Sequence, residues 1–257
     1  MKAILSLAYC FAAYALFLVT ILYTIGFVGN VAVSKSIDSG TPGSVGLAVP
    51  LNLALLATFG LQHSIMARSW FKRWWTRFVP AHVERSTYVA FASFALLLIL
   101  WQWRPIPSPV WTVTNAAAVG VLHGLFWTGW AIVFLSSYLI DHFELFGVRQ
   151  VIDKLRGRVL PAPTFRTPLF YRYVRHPLYL GFLIAFWATP VMTAGHLLFS
   201  IGMTSYILVA LRYEERDLIR TFGARYRRYI EHVGMLLPRG RAGRQEEAHE
   251  ESPSSVA

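Results

Sequence analysis

The sequence predicts an all-α fold, a polytopic membrane helix bundle of about six membrane helices, and three observations predict it. Hydrophobic residues make up 55% of the 257 and charged residues 14%, whereas a soluble domain carries about 25% charged residues. The apolar residues gather in runs of the ~20 residues that a helix needs to cross a bilayer. The 24 Lys and Arg fall between those runs and crowd into alternate loops, as cytoplasmic loops do. A disordered chain is excluded, and a soluble domain is argued against. The net charge of +11 is therefore a sign of membrane topology and not of nucleic-acid binding; the expected partner surface is the lipid bilayer. Cys10 is the only cysteine and lies inside the first apolar run, which leaves no disulfide framework and no zinc-ligand spacing.

Residues 3–33 are nearly free of charge and exceed the ~7–15 residues of a signal-peptide core, so they are expected to form a first membrane helix. Residues 34–50 hold Gly40, Pro42, Gly43 and Gly46 and read as a short extracytoplasmic loop. A second span covers 46–65. Arg68, Lys72, Arg73, Arg77 and Arg85 then face a single acid, Glu84, with Trp70, Phe71, Trp74, Trp75 and Phe78 interleaved at helical spacing. That is the pattern of an amphipathic segment lying along cytoplasmic headgroups.

A third span, 87–103, is closed by a proline-rich turn, and a fourth covers 115–140. Residues 141–177 form a second basic loop. Residues 178–211 are apolar for too long to be one span, and Pro190 and Gly195 interrupt them, so they predict a C-terminal helical hairpin with both chain termini cytoplasmic. A cytoplasmic helical segment runs from Arg212 to Pro238. Residues 1–240 are expected to be one domain, and the polar residues 241–257 a disordered tail.

Polar side chains in apolar helices are costly and are candidates for function. In the fourth span His123, Trp127, Trp130, Phe134, Ser137 and Asp141 recur at steps of 4, 3, 4, 3 and 4, so they share a helix face. Tyr138 and His142 lie beside it, and Asp141, His142 and Glu144 gather where the chain leaves the membrane, a setting suited to a general base. His63 ends the second span beside Gln62 and Ser64 and is a second candidate. Near the carboxyl end, Tyr171 to Gly181 (YRYVRHPLYLG) precede the hairpin and Arg212 to Leu218 (RYEERDL) follow it. A hairpin would bring Arg172, Arg175 and His176 to Glu214 and Glu215 at one membrane face. Cations for a carboxylate, carboxylates for an ammonium or ribose, and tyrosines for a flat ring meet the needs of S-adenosylmethionine.

RHPLYLG, about thirty apolar residues, EERDLIRTFGARYRRY and a closing Pro238 resemble the cofactor signature of the isoprenylcysteine carboxyl methyltransferase and phospholipid methyltransferase superfamily. The resemblance implies that His176, Tyr179, Glu214 and Glu215 line a pocket for S-adenosylmethionine, with Arg172, Arg175 and Gly181 beside them. LQHSIMARSWFKRWWTRFVPAHVERSTYV, LLLILWQWRPIPSPVW and DHFELFGVRQV are similar to the membrane methanethiol S-methyltransferases, which sit close to the NnrU-like proteins.

The implied reaction methylates a small thiol, methanethiol, to dimethyl sulfide and needs no metal. Free thiols have a pKa of about 8.5 or above, so a base is useful. The residues expected to supply it are His142 oriented by Asp141, with Tyr138 and His63 as alternatives. Trp127, Trp130 and Phe134 are expected to wall the substrate pocket. Two other readings stay open: a superfamily member acting on a prenylcysteine carboxyl or a phospholipid amine, and a non-enzymatic NnrU-like or haem-binding protein using His63 and His123 as ligands.

Overall fold

A computed structural model describes residues 2–158 and 164–239; the expected tail at 241–257 lies outside the described residues. Helix α1 (Lys2–Gly29) is followed by α2 (Val45–Ala67), the short α3 (Ser69–Trp75) and α4 (Ala81–Gln102). Strand β1 (Pro109–Thr112) leads to α5 (Ala116–Ile140), then the short α6 (His142–Leu145) and α7 (Val148–Leu155). A 3-10 turn (Leu169–Arg172) precedes α8 (Pro177–Trp187), β2 (Val191–Thr193), α9 (Ala194–Phe222) and α10 (Ala224–His232).

Among the described residues, five helices are long and apolar enough to cross a membrane: α1 from Ile4, α2, α4, α5 and α9. The chain is a helical integral membrane protein. Local sequence explains the helix ends. Asn115 caps α5 by accepting the Ala118 N–H at 3.0 Å, Pro80 stands at the N-cap of α4, and Thr193 caps α9 through His196 N–H. Each cap satisfies or avoids a backbone donor that the first turn leaves open.

The helical class needs one amendment, in the 178–211 stretch. It is not a hairpin of two full helices. At 11 residues, α8 is about 16 Å long, roughly half the ~30 Å hydrocarbon core. Helix α8 ends at Trp187, and Pro190 lies in the extended break that follows. There β2 pairs antiparallel with β1, and Val113 N–H reaches Pro190 O at 2.8 Å. The backbone groups freed by the break are satisfied by a strand that the proline-rich turn supplies. Gly195 is not the interruption: it opens α9, where a Cβ would stand 2.9 Å from Ile106 N.

The sheet marks one end of the bundle, and the basic segments mark the other. Helix α8 runs antiparallel to α5, Gly129 meeting Gly181 and Ala185. A Cβ on Gly181 would lie 2.6 Å from Gly129 O, and one on Gly129 would lie 2.7 Å from Gly181 O. Small residues let membrane helices approach this closely. Trp130, Phe182, Phe186 and Phe199 pack around that contact in the main core.

Candidate active site

The site is assembled at the basic end by α8, α9 and the chain after α10. Residues 174–176 are held in place by a tight turn: Val174 bridges Gly234, Arg175 N–H reaches Gly234 O at 2.9 Å, and His176 N–H reaches Met235 O at 3.1 Å. Only glycine fits at 234, because a Cβ there would come within 1.9 Å of Leu237 O. Pro177 opens α8 at its first position, where its missing N–H costs nothing.

Into this frame Arg175 projects a buried guanidinium. It makes contacts of 2.7 Å with Glu215 Oε1 through Nε and Nη2, and it caps the end of α10 by donating to Ile230 O and Val233 O. Burying the guanidinium is tolerable because it finds acceptors on several sides. His176, also buried, donates from Nε2 to Glu215 Oε1 at 3.2 Å. Tyr179 donates to Glu214 Oε2 at 2.8 Å. The Glu214 side chain stays 42% exposed against 18% for Glu215, so Glu215 is an internal anchor and Glu214 faces outward. Below them Tyr226 and Tyr229 pack with Phe165, and Tyr229 donates to Tyr171 O. Burial pushes the Tyr171, Tyr226 and Tyr229 phenols up from their usual range, so they stay protonated. These are packing tyrosines and supply no open ring face.

The two candidate bases have different surroundings. His142, buried at the start of α6, has both nitrogens engaged: Ser137 Oγ at 2.8 Å from Nδ1 and Tyr14 Oη at 2.7 Å from Nε2. Ser137 spends its proton on Phe134 O at 2.7 Å. Its oxygen therefore accepts Nδ1–H, which leaves Nε2 to accept from Tyr14. Tyr138 stacks on the imidazole at 4.2 Å and is itself exposed. Burial pushes the His142 pKa down, against the opposing pull of Asp141. The carboxylate of Asp141 does not orient the ring: it caps α6 by accepting Glu144 N–H at 3.0 Å and pairs with Arg149, whose own pKa is raised by that partner.

His63, one turn before the end of α2, has a buried Nδ1 without a hydrogen-bond partner among the described residues. Its ring is surrounded by Tyr88 of α4 at 5.0 Å, Phe59 at 5.4 Å and Tyr206 of α9 at 6.2 Å. Glu214 and Tyr179 lie within electrostatic reach of Tyr88 and Tyr206, which ties this pocket to the charged cluster.

The remaining expected residues are dispersed. Arg172 is exposed, and Gly181 serves the α5–α8 contact. Trp127 is 53% exposed at the sheet end, lining a small cavity with His123, Val28 and Pro190. Trp130 is buried in the core, and Phe134 is half-buried. The expected single wall of Trp127, Trp130 and Phe134 does not form, because the face of α5 that meets α8 is centred on Phe126, Gly129, Val133 and Ser136. His63 and His123 stand at opposite ends of the bundle, so they cannot share one haem. Sequence reasoning missed Gly234, Tyr88 and Tyr206; the tight turn at Gly234 left no motif, and the two tyrosines read as ordinary span residues.

Fold and site together define an integral membrane protein with a cluster of both charges at one end of its helices and an aromatic-lined histidine beside it. Similarity to known proteins then supplies the family. The chain is 56% identical over 233 residues to methanethiol S-methyltransferase 2 of Bradyrhizobium diazoefficiens, covering 91% of this chain and 90% of the relative. It is 55% identical over 238 residues to the methanethiol S-methyltransferase of Mycobacterium tuberculosis, covering 93% and 98%. Nurim of Bos taurus is 30% identical over 185 residues, covering 67% and 69%. No protein-family model matches the chain, and no solved structure does. The chain belongs to the methanethiol S-methyltransferase family.

Proposed function

We propose that the protein methylates methanethiol to dimethyl sulfide with S-adenosylmethionine at the membrane. The observation that carries this reading is the joining of a two-sign charged cluster, Arg175, His176, Tyr179, Glu214 and Glu215, to a histidine with an unpaired buried nitrogen. The donor set suits the cofactor. Glu214, outward-facing, accepts hydrogen bonds from an ammonium or from ribose hydroxyls. Arg175 and Glu215 hold each other and His176 in place, and Arg172 is the cation left for a carboxylate. When bound, S-adenosylmethionine supplies a methyl group on a sulfonium, which the thiol sulfur takes as the S–CH3 electron pair returns to the departing sulfur.

The chain's own contribution is to take the thiol proton and to exclude water. His63 suits the proton transfer better than His142, since an imidazole already accepting from Tyr14 has no lone pair left for a substrate. Aromatic walls keep the site dry, which favours a step in which opposite charges cancel. We further assign the basic end to the cytoplasmic side of a bacterial inner membrane, from the Lys and Arg of residues 68–85 and 141–177, and count α8 as a sixth, half-length membrane helix.

The test incubates detergent-purified protein with labelled S-adenosylmethionine and a panel of small thiols. Labelled dimethyl sulfide from methanethiol is expected; no volatile product with any thiol overturns the reading.

A further inference from the structure

Resting on that reading, we infer that Phe59, His63, Tyr88 and Tyr206 form the seat of the acceptor thiol, and that Tyr206 sets the size of thiol accepted. The expected walls, Trp127, Trp130 and Phe134, are dispersed along α5, so the substrate needs another home. The four residues come from three helices, α2, α4 and α9. Phe59 and Tyr88 are 8% and 6% exposed, and Phe59 meets Tyr206 edge to face at 5.7 Å. An aromatic enclosure around one imidazole with an unpaired Nδ1 matches a ligand with a small apolar body and one acidic proton.

The seat's position fits this use. Tyr206 precedes Glu214 by eight residues on α9, about 12 Å along the axis, so the seat lies deeper among the helices than the charged cluster. Arg85 sits 5.0 Å over the Tyr88 ring, anchored by Leu145 O at 2.7 Å. Its positive charge favours a thiolate over a thiol at His63. Tyr206 is the least buried of the three walls, and it packs on the bare backbone of Gly60, where a Cβ would stand 3.0 Å from its ring. Rings with centroids 5.0–6.2 Å from the imidazole are packed in direct contact with it, so a guest has to displace them, and a methyl-sized group displaces them less than a longer chain does.

The test compares kcat/KM for methanethiol and 1-butanethiol in purified wild-type, Tyr206→Leu, Tyr206→Phe and Gly60→Ala proteins, with S-adenosylhomocysteine affinity measured by calorimetry in each. Tyr206→Leu should shift the ratio toward butanethiol by at least about 10-fold, the usual range for a methylene's worth of apolar pocket, with S-adenosylhomocysteine affinity retained. Tyr206→Phe keeps the wall and should keep the ratio. Gly60→Ala crowds the ring inward and should move the ratio toward methanethiol. Rates that fall equally for both thiols in Tyr206→Leu while S-adenosylhomocysteine still binds overturn the seat and leave methyl transfer standing. If Tyr206→Leu no longer binds S-adenosylhomocysteine, an unchanged ratio in Gly60→Ala overturns it instead. A wild-type protein that methylates no thiol removes the function and the seat together.

Discussion

His63 and His142 are both histidines at the basic end of the bundle, and both lie where membrane helices stop, yet their surroundings give them opposite uses. His142 is closed on both nitrogens by Ser137 and Tyr14 and stacked by Tyr138. His63 is walled by rings and keeps a buried nitrogen without a partner. A group whose hydrogen bonds are complete stabilises the fold, whereas an unpaired buried nitrogen carries a cost of about 1–3 kcal/mol that a bound substrate can relieve. The residue type identifies candidates; the hydrogen-bond account ranks them.

The largest effect expected of this comparison is on turnover. His63→Ala should lower kcat by about 10²–10⁴-fold, the range of a general base, while S-adenosylhomocysteine affinity, read by calorimetry, changes little. Retention of full turnover would remove His63 from the chemistry. Next comes Glu214→Ala, which deletes the outward carboxylate and should weaken S-adenosylmethionine binding by about 1–3 kcal/mol. Wild-type affinity in that titration would break the link between the charged cluster and the cofactor.

His142→Gln should act on stability and not on mechanism. Losing a saturated buried ring should cost about 1–3 kcal/mol, seen as a lower melting temperature in detergent. The sign of its pH dependence follows from burial, which lowers the pKa of His142 in the folded state. Below about pH 6.5 the unfolded chain binds a proton that the folded one resists, so stability is full at neutral pH and is lost as pH falls. The His142→Gln protein should lack that component, and an unaltered acid slope would contradict the assignment. The smallest effect belongs to Trp127→Ala, at the sheet end and 53% exposed. Stability should move within about 0.5 kcal/mol, with methanethiol kinetics unchanged.

Much of this was legible in the sequence. Runs of apolar residues mark the long helices, because a bilayer demands length and charge exclusion whatever the packing. Arg175, His176 and the Glu214–Glu215 pair were legible as a cluster because opposite charges flanking an apolar stretch can be satisfied only by each other. What the sequence hid has one physical origin. In a membrane both the lipid and the core are apolar, so periodicity in α5 does not reveal which face meets protein. The stripe through Trp127 and Trp130 therefore straddles the two, and the α5–α8 seam follows the small residues Gly129 and Gly181 instead. The break at Pro190 was visible, but the pairing of β2 with β1 depends on a partner some eighty residues away. Tyr88 and Tyr206 carry no pattern of their own, since three helices must pack before they surround His63.

The most direct test of the account is the pH–rate profile for methanethiol in His63→Ala and His142→Gln proteins measured side by side. If His63 takes the thiol proton, the His63→Ala deficit shrinks as pH rises and more methanethiol ionises in solution, while His142→Gln runs parallel to wild type. A deficit in His63→Ala that stays constant with pH, or a rescue that appears in His142→Gln instead, would contradict it.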